Sequence, residues 1–281
     1  MKPNGIPAGR VVAALLFLLM LTPHPAAACA AADTLAVTDN LADTLAVTDV
    51  SAGIPDPLFR AWVLEHFDTD GDAQLSPEEA AAVTHISLSH YRAAGTGERI
   101  ASLEGLQLFP GLTGLYCADN DLTRLDVTGC RALKALDCSG NALSELPLDS
   151  CPALARLACH DNRLETLDLT ACPALEVVLC RRNALTALTL DSCRMLARLD
   201  CSENALTALD VSRCPLLSEL LCYQNRLTRL DVAGCRSLTR LMCYNNALET
   251  LILPRECAIP GVTEERSTDC IDPSTRIIRA E

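Results

Sequence analysis

Residues 68–79 read Asp-Thr-Asp-Gly-Asp-Ala-Gln-Leu-Ser-Pro-Glu-Glu, which sets oxygen donors at alternate positions. A calcium ion takes about six to eight hard oxygen ligands, and a twelve-residue loop supplies them at its first, third, fifth, seventh, ninth and twelfth positions. Here those positions hold Asp68, Asp70, Asp72, the backbone carbonyl of Gln74, Ser76 and the carboxylate of Glu79, so Ca2+ is the cofactor this segment predicts. The sixth position is Ala73, where the sharp turn wants glycine; a left-handed alanine costs about 1 kcal/mol. A second reading takes Ser76 and Glu79 as a capping box on an ordinary helix. It accounts for those two residues but not for three alternating aspartates.

The loop needs helices to hold it. Phe59, Trp62, Val63 and Phe67 recur upstream at helical spacing, and Ser76-Pro77-Glu78-Glu79 opens a second helix through the alanines. Residues 54–92 therefore read as a small helical unit. Over residues 54–88 it resembles a single EF-hand, and the resemblance implies a structural calcium site.

The body of the chain is set by its cysteines. Sixteen are present; Cys117, Cys138, Cys159, Cys180, Cys201, Cys222 and Cys243 recur every 21 residues. A second series, Cys130, Cys151, Cys172, Cys193, Cys214 and Cys235, keeps the same period, and Asn120 through Asn246 follow three residues behind each member of the first. A fixed period in the twenties predicts a solenoid whose turns stack on their neighbours. Leu133, Leu136 and Cys138 alternate inward across a short strand, and Leu143, Leu146 and Leu148 fill the rest of the turn. On the return side Leu-Asp-Val (125–127, 209–211, 230–232) is again an inward–outward–inward pattern, too short for a helix. Pro152, Pro173 and Pro215 reinforce that reading. The asparagines are expected to bond loop backbone groups otherwise buried unpaired.

The repeat, L-x-x-L-x-C-x-x-N-x-L-x-x-L-x-[VL]-x-x-C-x-x, resembles the leucine-rich repeat family in its short bacterial IRREKO-like form, over residues 112–253 in seven copies. The resemblance implies a repeat solenoid: an arc with a parallel β-sheet on its concave face and mostly extended return arms. It also implies exported bacterial relatives, some of which bind host proteins. Residues 93–111 and 254–281 are left as caps.

Equivalent residues on stacked parallel strands lie about 4.8 Å apart with parallel side chains, whereas a disulfide needs converging vectors and sulfurs about 2.05 Å apart. Free, buried thiols are the expectation for the two series, disulfides within the repeats the alternative, and zinc is disfavoured because parallel vectors do not converge on one ion. Cys257 and Cys270 fall outside the register, and whether they pair is open.

At the start, Lys2 and Arg10 precede the apolar run Val11–Leu21 and then a small-residue stretch, so residues 1–28 read as an export signal. Ala26-Ala27-Ala28-Cys29 fits ordinary cleavage and also lipidation of Cys29. Either way the protein is expected to be secreted or at the cell surface, an outer-membrane lipoprotein in the second case, and to touch a membrane only through that anchor. Residues 29–53 read as an acidic tether containing the duplication ADTLAVTDNL–ADTLAVTDV.

Formal charge is 23 − 36 = −13, which disfavours nucleic acid. On the concave face, outward residues form three variable columns, and the repeats' aromatic residues, Tyr116, Tyr223 and Tyr244, all fall there. Leu179, Arg181, Arg198, Leu221, Tyr223, Arg240, Met242 and Tyr244 are the expected ligand contacts, since exposed apolar and aromatic groups rimmed by arginine mark binding surfaces. The partner expected is a protein, with a glycan second, and a spacer role in the envelope is the alternative. His160, near Asp137, Ser139 and Asp161, is the one histidine placed on this face. A shallow curved surface shelters little chemistry, so no enzymatic activity is expected.

Overall fold

The computed structural model describes residues 49–256, 259 and 270–280. Cys29, most of the tether and Cys257 lie outside the described residues. Among the described residues no helix is long and apolar enough to cross a membrane.

In chain order the strands are β1 (His85–Ser87), β2 (Gly114–Tyr116), β3 (Ala135–Asp137), β4 (Arg156–Ala158), β5 (Thr166–Asp168), β6 (Val177–Leu179) and β7 (Ala187–Thr189). They continue with β8 (Arg198–Asp200), β9 (Glu219–Leu221), β10 (Arg229–Asp231), β11 (Arg240–Met242), β12 (Thr250–Leu253) and β13 (Arg276–Arg279). β1, β2, β3, β4, β6, β8, β9 and β11 form one parallel sheet in which each strand pairs with the equivalent residues of the next coil. The return arms pair more sparsely, as β5–β7 and as β10–β12–β13, with a bridge between Asp210 and Asp231. The wall opposite the main sheet is thus extended backbone, as the Leu-Asp-Val pattern requires.

Each coil is too small to bury its own apolar face; stacking supplies the missing neighbour. Every residue of both cysteine series lies in the buried core, 0–1% exposed, beside the repeat leucines. All are free thiols. Cysteine suits this interior because it is a small hydrophobe. Burial pushes the thiols of Cys151, Cys193 and Cys214 up to about 12 and that of Cys172 to about 11.

The asparagine column closes the turns. Asn183 Nδ2 donates to the carbonyls of Cys159, Cys180 and Arg181 at 3.0, 3.1 and 3.4 Å, and its Oδ1 accepts from Leu164 N at 3.0 Å. Asn141, Asn162, Asn204, Asn225 and Asn246 repeat the same connections one coil apart. Just before each asparagine the backbone is left-handed even without glycine, as at Asp161 (φ 54°), Arg182 (53°) and Glu203 (55°).

The front unit is built as a lid on this stack. Asp56 caps the helix Pro57–Phe67 by accepting from Leu58 and Phe59 N–H through Oδ1, while Oδ2 accepts from Ala101 and Ser102 N–H in the loop before β2. Phe59 and Phe67 pack on Phe109, ring centroids 6.5 and 6.3 Å apart, and Phe59 and Phe109 are fully buried in a core continuous with the coils. β1 lies inside residues 54–92, read above as helical, yet it forms the first strand of the main sheet. Ile86 and Leu88 enter the core as leucine and cysteine do elsewhere.

At the other end, Cys243 N–H donates to Cys270 O, the part Met242 O plays for Cys222. This register puts Ile271, 3% exposed, on the next inward rung and the half-buried Cys270 in an outward column. Asp272 accepts from Asn245 and Asn246 N–H, ending the ladder.

Candidate functional site

The acidic loop sits between the helices Pro57–Phe67 and Pro77–Ala82. Carboxylate oxygens of Asp68, Asp70 and Glu79 lie within 4.8 Å of one another. That spacing fits one calcium ion, whose opposed ligands at about 2.4 Å would stand about 4.8 Å apart. Ala73 takes the left-handed conformation (φ 64°) that the sixth position demands, and its N–H donates to Asp68 Oδ2 at 2.8 Å. Asp72 stands apart from the cluster: its carboxylate accepts from Gln74 N and Nε2. Ser76 and Glu79 do form the capping box. Glu79 also accepts from Thr69 N and Oγ1. These bonds, led by that from Ser76 N–H, draw its carboxyl down to about 2.

The loop is braced from outside. Val50 N–H donates to Leu75 O at 2.9 Å, and Leu75 N–H donates to Asp49 Oδ1 at 3.1 Å. A short stretch of the tether's end thus pairs with the loop's apolar eighth position.

The concave face is the second candidate. The rings of Tyr223 and Tyr244 stack in register, centroids 4.8 Å apart and 3° from parallel. Met242 is half-buried two residues before Tyr244, Leu179 and Arg181 are half-buried two strands from the Tyr223 coil, and Arg198 and Arg240 are exposed. Leu221 is 8% exposed; it lies in the outward column between Asp200 and Met242 and offers a ligand little contact area. Glu219 joins two arginines, 3.3 Å from Arg198 Nε and 2.8 Å from Arg240 Nη1. Along the rim, Arg182 meets Glu203 at 2.8 Å and Asp161 at 3.7 Å, and Arg181 reaches Glu203 at 4.0 Å.

Two histidines, His85 and His160, lie on this face and His90 stands at its rim. His160 Nδ1 is 2.8 Å from Asp161, and His90 Nδ1 is 2.9 Å from Asp119. His85, at the start of β1, lies over Gly114, where a Cβ would stand 2.6 Å from its ring. Sequence reasoning assigned His85 and His90 to helix because Ile86 and Leu88 disguise the repeat; the apolar alternation at 86 and 88 was the available signal. Ser139 is buried and its Oγ donates to Asp137 at 2.6 Å, so serine and His160 are engaged with different carboxylates, and no nucleophile–base pair is formed from them.

A stack of parallel strands with leucine and cysteine inside and an asparagine ladder at each turn is a leucine-rich repeat solenoid. Solved structures of that fold resemble it. InlJ of Listeria monocytogenes, whose functional domain includes a cysteine ladder, aligns with a TM-score of 0.56 and 24% identity over 83% of this chain and 61% of its own. A Leptospira interrogans leucine-rich repeat protein aligns at 0.53 and 21% identity, over 68% of this chain and 54% of its own. Internalin C2 of Listeria monocytogenes aligns at 0.53 and 18% identity, over 72% and 89%. The chain thus spans little more than half the length of the first two, and the likeness is one of fold. No family model and no curated protein matches the sequence.

Proposed function

We propose that this chain is an exported, non-enzymatic recognition module that binds a protein on the concave face of its last four coils, with calcium bracing the front lid. The observation that carries the reading is the Tyr223–Tyr244 stack. The repeats keep aromatic residues out of their core, yet two lie side by side on the outward face beside Met242. Such rings supply much contact area at low entropic cost. Export rests on residues 1–28, with Cys29 the lipidation site if the chain is anchored.

The triple variant Tyr223→Ala, Tyr244→Ala, Met242→Ala tests it. A protein retained by the mature chain from host-surface or envelope extracts should lose at least about 2 kcal/mol of binding, some 30-fold, while the variant's melting temperature stays near the parent's. Retention of the same protein at parental affinity excludes this patch.

In the front loop Asp68, Asp70 and Glu79 would hold the ion, joined by Gln74 and Ser76 and, after release of its bonds to Gln74, by Asp72. The ion would cross-link the two helices of the lid. Ala73→Gly removes the left-handed alanine and is expected to tighten Ca2+ binding by about fivefold in calorimetry, corresponding to about 1 kcal/mol. Absence of a calcium heat in both proteins would remove the ion from the account.

A further inference from the structure

The outward columns of the last coils carry a charge bias opposite to that of the chain. From β4 to β11 they hold Arg156, Arg181, Arg198 and Arg240 against Asp200 and Glu219, 4 − 2 = +2 on a protein of −13. Both acids are engaged: Asp200 Oδ1 accepts from Ser202 Oγ, and Glu219, its side chain 18% exposed, lies between Arg198 and Arg240. The arginines stay open, with 47% and 55% of the Arg198 and Arg240 side chains exposed. Arg156 is exposed and has no acidic partner among the described residues. At the rim, Arg182 is balanced by Glu203 and Asp161.

The spacing adds a ruler. Arg156, Arg198 and Arg240 occupy equivalent positions on alternate strands. Two inter-strand steps come to about 10 Å, and one turn of a polyproline II chain, three residues at about 3.1 Å each, spans nearly the same distance and returns the side chain to the same face. Resting on the reading that this face takes a protein, we propose that the partner segment is extended and acidic. It lies across the strands, a carboxylate at every third residue meets each of the three arginines, and an apolar or aromatic side chain lies against Tyr223, Tyr244 and Met242. Those three residues favour a polypeptide over an anionic glycan of similar charge spacing.

A fluorescently labelled glutamate–tyrosine copolymer is the probe, measured by anisotropy against the full chain, with heparin as the glycan arm. The copolymer should bind saturably at low ionic strength and more weakly at about 0.15 M salt. Binding should fall about tenfold or more in Arg156→Gln, Arg198→Gln, Arg240→Gln. Arg156→Glu alone, at an exposed site that puts folding at no risk, should weaken it more than Arg156→Gln. Copolymer binding that is absent or indifferent to these changes overturns the proposal, as does arginine-dependent binding of heparin in preference to the copolymer. A native partner lost on changing Tyr223 and Tyr244 but untouched by the arginine variants overturns the acidic segment and leaves the protein-binding reading standing.

Discussion

Raising the reduced protein from about pH 7 to about pH 10 unfolds it cooperatively, with the transition between about pH 9 and 10. Twelve of the buried thiols are held above their ordinary range by burial, as at Cys172 (about 11) and Cys193 (about 12). Once unfolded each ionises near pH 9. Because the folded value lies above the unfolded one, the stabilisation is complete below about pH 8 and is lost as the pH rises through 9 toward the folded values. Each thiol withdraws about half a kcal/mol at pH 9 and about 1–2 kcal/mol at pH 10, so the twelve together withdraw on the order of 10 kcal/mol across that interval. A domain's whole stability is about 5–15 kcal/mol. Circular dichroism against pH, with reductant present, measures this. A fold that persists unchanged to about pH 11 would mean that the sulfurs are not neutral buried thiols.

The second large effect belongs to the asparagine ladder. Asn183→Ala should destabilise the protein by about 2–3 kcal/mol, because it leaves the Leu164 N–H without its acceptor and takes one of two donors from each of the Cys159, Cys180 and Arg181 carbonyls, which keep Asn162 Nδ2, Asn204 Nδ2 and Asp161 N–H. Asn183→Asp should cost more, since it keeps the acceptor for Leu164 but turns a carboxylate toward three carbonyl oxygens. Arg163→Ala, on the exposed surface one coil away, should change stability by less than about 0.5 kcal/mol. Urea unfolding of the three variants decides the matter: equal midpoints for Asn183→Ala and Arg163→Ala would show that the ladder contributes little.

The repeats were legible in the sequence because their physics is periodic. Inward leucines, two inward cysteines and one turn-closing asparagine recur in each coil at fixed spacing, and the sheet register follows from that alone. What escaped lies where the period is broken. The β1 coil carries Ile86 and Leu88 where leucine and cysteine stand elsewhere, and Tyr91 where the asparagine stands, so His85 and His90 were assigned to helix. The terminal rung is Ile271, reached after an insertion, and Cys270 therefore takes an outward place that no spacing announced. Burial is also a property of neighbours: Leu221 lies in an outward column yet is only 8% exposed, which a single repeat cannot reveal. In the acidic loop the ligand pattern was readable, but the turn of Asp72 toward Gln74 depends on local hydrogen bonds that compete with the cluster.

Thiol labelling of protein purified without reductant, read residue by residue by mass spectrometry, bears most directly on the stacked-coil interior. In the folded state at neutral pH the thirteen cysteines of the two series should resist a reagent that modifies the half-buried Cys270, and after denaturation all thirteen should react. Series cysteines found already joined in pairs, or labelled in the folded protein as fast as Cys270, would contradict it.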